Sequence, residues 1–63
     1  MCEFTVYVDS SGSREKIAKN VIKAKLNGGI VTLTDSAGKL TKVENANILM
    51  VDTLMQELVL KKA

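Results

Sequence analysis

The 63-residue chain has no histidine, no proline and no tryptophan, and it has one cysteine. Without histidine it lacks the side chain best suited to proton transfer near neutral pH. One cysteine excludes an internal disulfide, and with no histidine it excludes a zinc site of Cys and His ligands within one chain. The carboxylates Glu3, Asp9, Glu15, Asp35, Glu44, Asp52 and Glu57 are scattered singly and form no local pair. Gly28-Gly29 belongs to no phosphate-binding or dinucleotide-binding glycine pattern. Catalysis would need groups that are missing, so an enzyme is not expected. The longest apolar runs, such as Ile48-Leu49-Met50-Val51, are far short of the ~20 residues that cross a bilayer. The start, Met1-Cys2-Glu3-Phe4, has neither a basic region nor an apolar stretch, so a secretory signal is not expected. A lone thiol then fits a reducing cytoplasm.

Apolar residues make up 46% of the chain and charged residues 25%, an ordinary globular composition that argues against disorder. Nine Lys and Arg against seven Asp and Glu leave a net charge of +2, too mild to demand a polyanionic partner. The length allows one domain, residues 1–63, with a thin core.

Residues 2 to 8 alternate: Cys2, Phe4, Val6 and Val8 share one face, and Glu3, Thr5 and Tyr7 the other. That period predicts a strand, ended by the turn cluster Asp9-Ser10-Ser11-Gly12. Residues 13–20 carry helix signals. Ser13 suits an N-cap, Glu15 sits in the first turn, Glu15 and Lys19 form an i, i+4 pair, and Ile17, Ala18 and Val21 share a helical face. One short helical segment is expected there; a longer helix through Leu26 competes with a strand over 22–26, where Ile22, Ala24 and Leu26 alternate with Lys23, Lys25 and Asn27. Asn27-Gly28-Gly29 signals a hairpin. Strands follow at Ile30 to Thr34, Lys39 to Val43 with Leu40 and Val43 inward, Asn47 to Val51, and Leu54 to Lys61. In the last strand Leu54, Leu58 and Leu60 are expected to face the core, with Met55 and Val59 opposite. Such a two-faced strand implies either a homodimer contact or a barrel seam. Five to six short strands with regular turns predict a mostly β fold, a small antiparallel barrel.

Two features could carry function. Lys23 and Lys25 share a strand face and could follow a phosphate backbone, although alternating Lys more often serves solubility and edge protection. Phe4 and Tyr7 are the only aromatics, a thin platform for stacking bases. Cys2 has two readings. Its parity with Phe4 and Val6 suits a buried small hydrophobe. Its place near the chain terminus also lets the Met1 amine, the Cys2 amide nitrogen and the Cys2 thiolate close adjacent five-membered chelate rings, a planar N,S set suited to Ni(II) or Cu(II). A third reading is a metal-free dimeric adaptor that pairs through Met55 and Val59.

The opening Met1-Cys2, the run Gly28-Gly29-Ile30-Val31-Thr32-Leu33-Thr34-Asp35, the segment Val43-Glu44-Asn45-Ala46 and the closing Val51-Asp52-Thr53-Leu54 resemble the CooT family of small proteins associated with carbon monoxide dehydrogenase maturation. The resemblance covers essentially the whole chain. It implies an SH3-like or Sm-like barrel that forms a homodimer. It also implies Ni(II) binding through Cys2, with Met1 as an amine donor, and a role as a nickel chaperone. The wider family is also described as predicted RNA-binding proteins.

Overall fold

A computed structural model describes residues 3–62. Six strands run in chain order: β1 Phe4–Ser10, β2 Ser13–Asn27, β3 Ile30–Asp35, β4 Leu40–Val43, β5 Ala46–Asp52 and β6 Glu57–Lys62. They form one sheet in the order β4-β3-β2-β1-β6-β5. Every neighbouring pair is antiparallel except β1 and β6, which are parallel. The sheet curls until the Ala46 amide donates to the Gly29 carbonyl at 2.9 Å, which ties β5 to the β2–β3 turn. The result is a half-barrel of the mostly β kind the sequence implies.

Two hairpins depend on left-handed backbone. Gly28 and Gly29 (φ 59° and 78°) join the paired residues Asn27 and Ile30. Positive φ at both central positions matches the right-handed strand twist, and glycine adopts it without steric cost. Ser11 and Gly12 (φ 52° and 79°) do the same between Ser10 and Ser13. Asp35 builds the β3–β4 turn, its Oδ1 accepting from the Ala37 and Lys39 amides at 3.0 and 2.9 Å.

The concave face holds the core: Val6 and Val8 of β1, Val21 of β2, Val31 and Leu33 of β3, Val43 of β4, Ala46 of β5, and Leu58 and Leu60 of β6. Phe4, Ile17 and Ala18 pack against it half-buried.

The helical segment expected over 13–20 is strand instead, because β2 is irregular. Tyr7 pairs with Lys16 but Val6 with Ala18, and Phe4 with Val21, so β2 carries extra residues near Ile17 and near Asn20. A third irregularity lies between Val21 and Lys23 on the β3 side. Such bulges bend the strand and raise its twist, so the first half of β2 pairs with β1 and the second half with β3. They also break the two-residue period. Ile17, Ala18 and Val21 all reach the core, a spacing that imitates a helical face.

The C-terminal end differs as well. Leu54 and Met55 lie outside any strand, in the β5–β6 turn, and are 89% and 63% exposed rather than inward and strand-borne. Leu40 is also outward, 60% exposed, while Val43 is buried as expected. Val59 does face away from Leu58 and Leu60, yet it is 0% exposed within one chain. Its register partners on that face are Tyr7 and Met50. A strand flanked on both sides by β1 and β5 can be covered on both faces, hence its unbroken run Leu58-Val59-Leu60. Val59 therefore offers nothing to a partner, which removes the Met55–Val59 adaptor face.

Candidate functional site

Cys2 and Met1, the expected metal ligands, lie outside the described residues. The described chain bears on the end where β1 starts. β1 begins at Phe4, at one end of the half-barrel where the concave face opens. There a cleft of about 220 Å³ is lined by Phe4, Val21, Ile22, Ala24, Ile48, Val51 and Leu58, with Lys23 as its one charged residue. It separates the second half of β2 from β5, two strands that the curled sheet brings near each other without pairing them.

Beside this mouth stands the β5–β6 turn. Asp52 Oδ1 accepts from the Leu54 and Met55 amides, both at 3.0 Å. Such a side-chain-to-backbone turn is a common use of Asp, and here it holds both apolar residues out of the sheet. The Thr5 amide donates to the Gln56 carbonyl at 2.9 Å, which fastens the turn to the start of β1. The Asp52-Thr53-Leu54 sequence carried the signal for this turn, but it was outweighed by an apolar pattern that reads as strand.

The convex face has different chemistry. Register aligns Lys25, Thr32 and Lys42 in one row and Lys23, Thr34 and Leu40 in the next. Lys42 thus joins the expected Lys23 and Lys25, and no carboxylate stands in these rows. Cross-strand placement across a β3 strand was needed to see it. At the opposite hairpin, Arg14 Nε and Nη2 donate to Asp9 Oδ1 and Oδ2 at 2.7 and 3.0 Å. The hydrogen bond from Arg14 holds the Asp9 carboxyl below its ordinary range, and Asp9 raises Arg14 in turn. Both groups are at the surface, so the pair contributes little to stability.

Among the described residues no three His, Cys, Asp or Glu side chains gather into a metal-holding group. None has a buried polar or charged side chain either. These features define a small half-barrel whose described surface offers an apolar mouth and a lysine-threonine face.

The family comparison gives that class a name. The model of the CO dehydrogenase accessory protein CooT matches residues 1–61, and the chain belongs to the CooT family. No curated protein matches the chain. No helix among the described residues is long and apolar enough to cross a membrane.

Proposed function

We propose that this protein is a Ni(II)-binding accessory factor in carbon monoxide dehydrogenase maturation. It acts without catalysis, as a homodimer in the cytoplasm. The nickel is cargo, held by the Cys2 thiolate together with the Met1 amine and the Cys2 amide nitrogen. The observation that carries the reading is the family match over residues 1–61, which includes Met1-Cys2, the one thiol in the chain. A thiolate is a soft ligand that favours late first-row metals over Mg²⁺ or Ca²⁺. Binding expels the thiol proton together with those of the Met1 ammonium and the Cys2 amide, so the apparent affinity rises with pH through and beyond the ordinary cysteine pKa of about 8.5. A site of two or three ligands at a chain terminus leaves positions open, and a client protein with better ligands can take the metal from it.

The test is a Ni(II) titration of the apo-protein, followed by the near-ultraviolet thiolate-to-nickel charge-transfer band. The expected band saturates at or below one metal per chain and is lost in Cys2→Ser, whose far-ultraviolet circular dichroism is unchanged. A band that persists in Cys2→Ser removes the site. The absence of any band, joined to an RNA affinity that falls steeply with salt and ignores Cys2→Ser, would transfer the function to the Lys23, Lys25 and Lys42 face.

A further inference from the structure

The half-barrel has a second open side, away from the mouth. β4 stands at one edge of the sheet and pairs with β3 alone. The first half of β2 pairs with β1, and its pairing with β3 begins only at Val21. Among the described residues, no strand therefore covers the outer edge of β4 or the far side of β2 before its bulges. An open groove of about 640 Å³ lies there. Glu15 and Ile17 of β2 line it from one side and Thr41, Lys42 and Val43 of β4 from the other, over Val8 of β1. Val8 and Val43 belong to the concave core and Ile17 packs half-buried against it, so the floor is apolar. In an antiparallel pair, successive residues direct their N–H and C=O alternately toward the partner strand and away from it. Two of the four residues of β4 thus present both backbone groups at the outer edge. Among the described residues, no loop backbone and no side chain bonds to Leu40–Val43.

We propose that this side is a docking groove for an extended segment of a partner protein, which adds to β4 as a further strand. The segment carries apolar residues at alternate positions and acidic residues between them. The inference goes beyond the metal reading and needs neither Cys2 nor nickel. Its chemistry follows from the alternation of β4. Thr41 and Val43 turn to the concave groove, while Leu40 and Lys42 turn to the convex face. An added strand keeps that alternation. Its inward side chains lie beside Thr41 and Val43, above Ile17 and Val8, where apolar β-branched residues fit the floor. Its outward side chains extend the rows Lys25-Thr32-Lys42 and Lys23-Thr34-Leu40. A carboxylate at the end of the first row meets Lys42, and cross-strand pairs of opposite charge are favourable where like charges are not. Main-chain bonds then supply affinity and the alternate side chains supply selectivity. A second copy of this chain fits the edge less well, because pairing β4 with β4 sets Lys42 and the lysine rows of both copies along one face. Lysine on a short edge strand guards against such self-pairing, and the same charge selects an acidic strand. A nucleic acid would use the lysines and leave both the β4 edge and the apolar floor unfilled.

The experiment is a backbone-amide NMR titration of the full chain with the end-blocked pentapeptide Val-Glu-Val-Glu-Val. The peptide Val-Lys-Val-Lys-Val and an oligouridylate serve as comparisons. The expected result is saturable binding of the Glu peptide in the millimolar range or tighter. The largest shifts fall at Ile17, Thr41, Lys42 and Val43, and hydrogen exchange slows at the outward amides of β4. Lys42 is exposed, so Lys42→Glu leaves the chain folded, which circular dichroism checks. That substitution is expected to weaken the Glu peptide by about fivefold, the upper scale of an exposed ion pair, and to strengthen the Lys peptide. No saturation at millimolar peptide overturns the proposal, and so do shifts that spare β4 or a Lys42→Glu protein with unchanged preference. An oligouridylate that displaces the Glu peptide overturns it in favour of nucleic acid. Outward β4 amides whose protection in the free chain grows with protein concentration overturn it in favour of a second copy.

Discussion

Leu33 and Leu40 lie one strand apart in the same sheet and differ in which face they take. Leu33 is 1% exposed in the concave core, and Leu40, beside Thr34 on the convex face, is 60% exposed. Replacing each by alanine removes the same atoms. At Leu33 the loss combines the transfer free energy with a cavity that neighbouring strands cannot fill, about 3–5 kcal/mol. At Leu40 three methylene equivalents, each worth about 0.8 kcal/mol when buried, are less than half withdrawn from water, so the cost is about 1 kcal/mol or less. A domain of this length holds roughly 3–9 kcal/mol in total, so Leu33→Ala takes much of the whole. Neither side chain lines the mouth itself. Urea unfolding followed by far-ultraviolet circular dichroism measures the contrast. With a slope near 1 kcal/mol per molar, the midpoint of Leu33→Ala should fall about 2 M or more below that of Leu40→Ala. Equal midpoints would refute the assignment of faces, and with it the inside-out placement of β4.

The irregularity of β2 is tested at Asn20, whose φ of 57° lies in the left-handed region. Asn20→Gly should be close to neutral and Asn20→Val should cost about 1–2 kcal/mol in the same urea assay, because a branched Cβ clashes there. The hydrogen bond from Arg14 holds the Asp9 carboxyl below its ordinary range. A carboxyl with a depressed folded-state pKa contributes stability above its unfolded pKa, and that contribution is lost as pH falls through the folded value. A carboxyl-carbon NMR titration should show a midpoint below 3.8 in wild type and a return upward in Arg14→Gln; coincident titration curves would remove the ion pair.

Much of the fold was legible because most strands here keep their period. β1 reads correctly from Phe4, Val6 and Val8, and the hairpin at Gly28-Gly29 from its two glycines. Val31, Leu33 and Val43 alternate as a half-buried strand pair should. The errors gather where period-2 logic fails for a physical reason. Bulges put Ile17 and Ala18 on one side of β2, and a helix is the other structure that does so. Val59 is buried on the face opposite Leu58, in register with Tyr7 and Met50, and no local signal tells a covered strand from one awaiting a partner. The candidate site divides the same way. Cys2 is visible in sequence as the one thiol of the chain, and its proposed role lies outside the described residues. The mouth is invisible there, since it is assembled from β1, β2, β5 and β6.

The distribution of apolar residues bears on why so small a chain has this shape. A domain of this size buries a low fraction of its surface, and each large side chain left outside is stability forgone. Ten large hydrophobic residues are nevertheless exposed among the described ones, six of them on β5 and the turn that follows it. The convex lysine rows show that the same sequence can place Lys and Thr where a wet surface is wanted. Surface that stays wet has no reason to hold Ile48, Val51, Leu54 and Met55 at one end. The homodimer proposed above would restore burial that the single chain lacks, as oligomerisation commonly does for domains too small to build a sufficient core. On this argument the open seam of the half-barrel is where the core is left incomplete, between Ile22 of β2 and Ile48 and Val51 of β5.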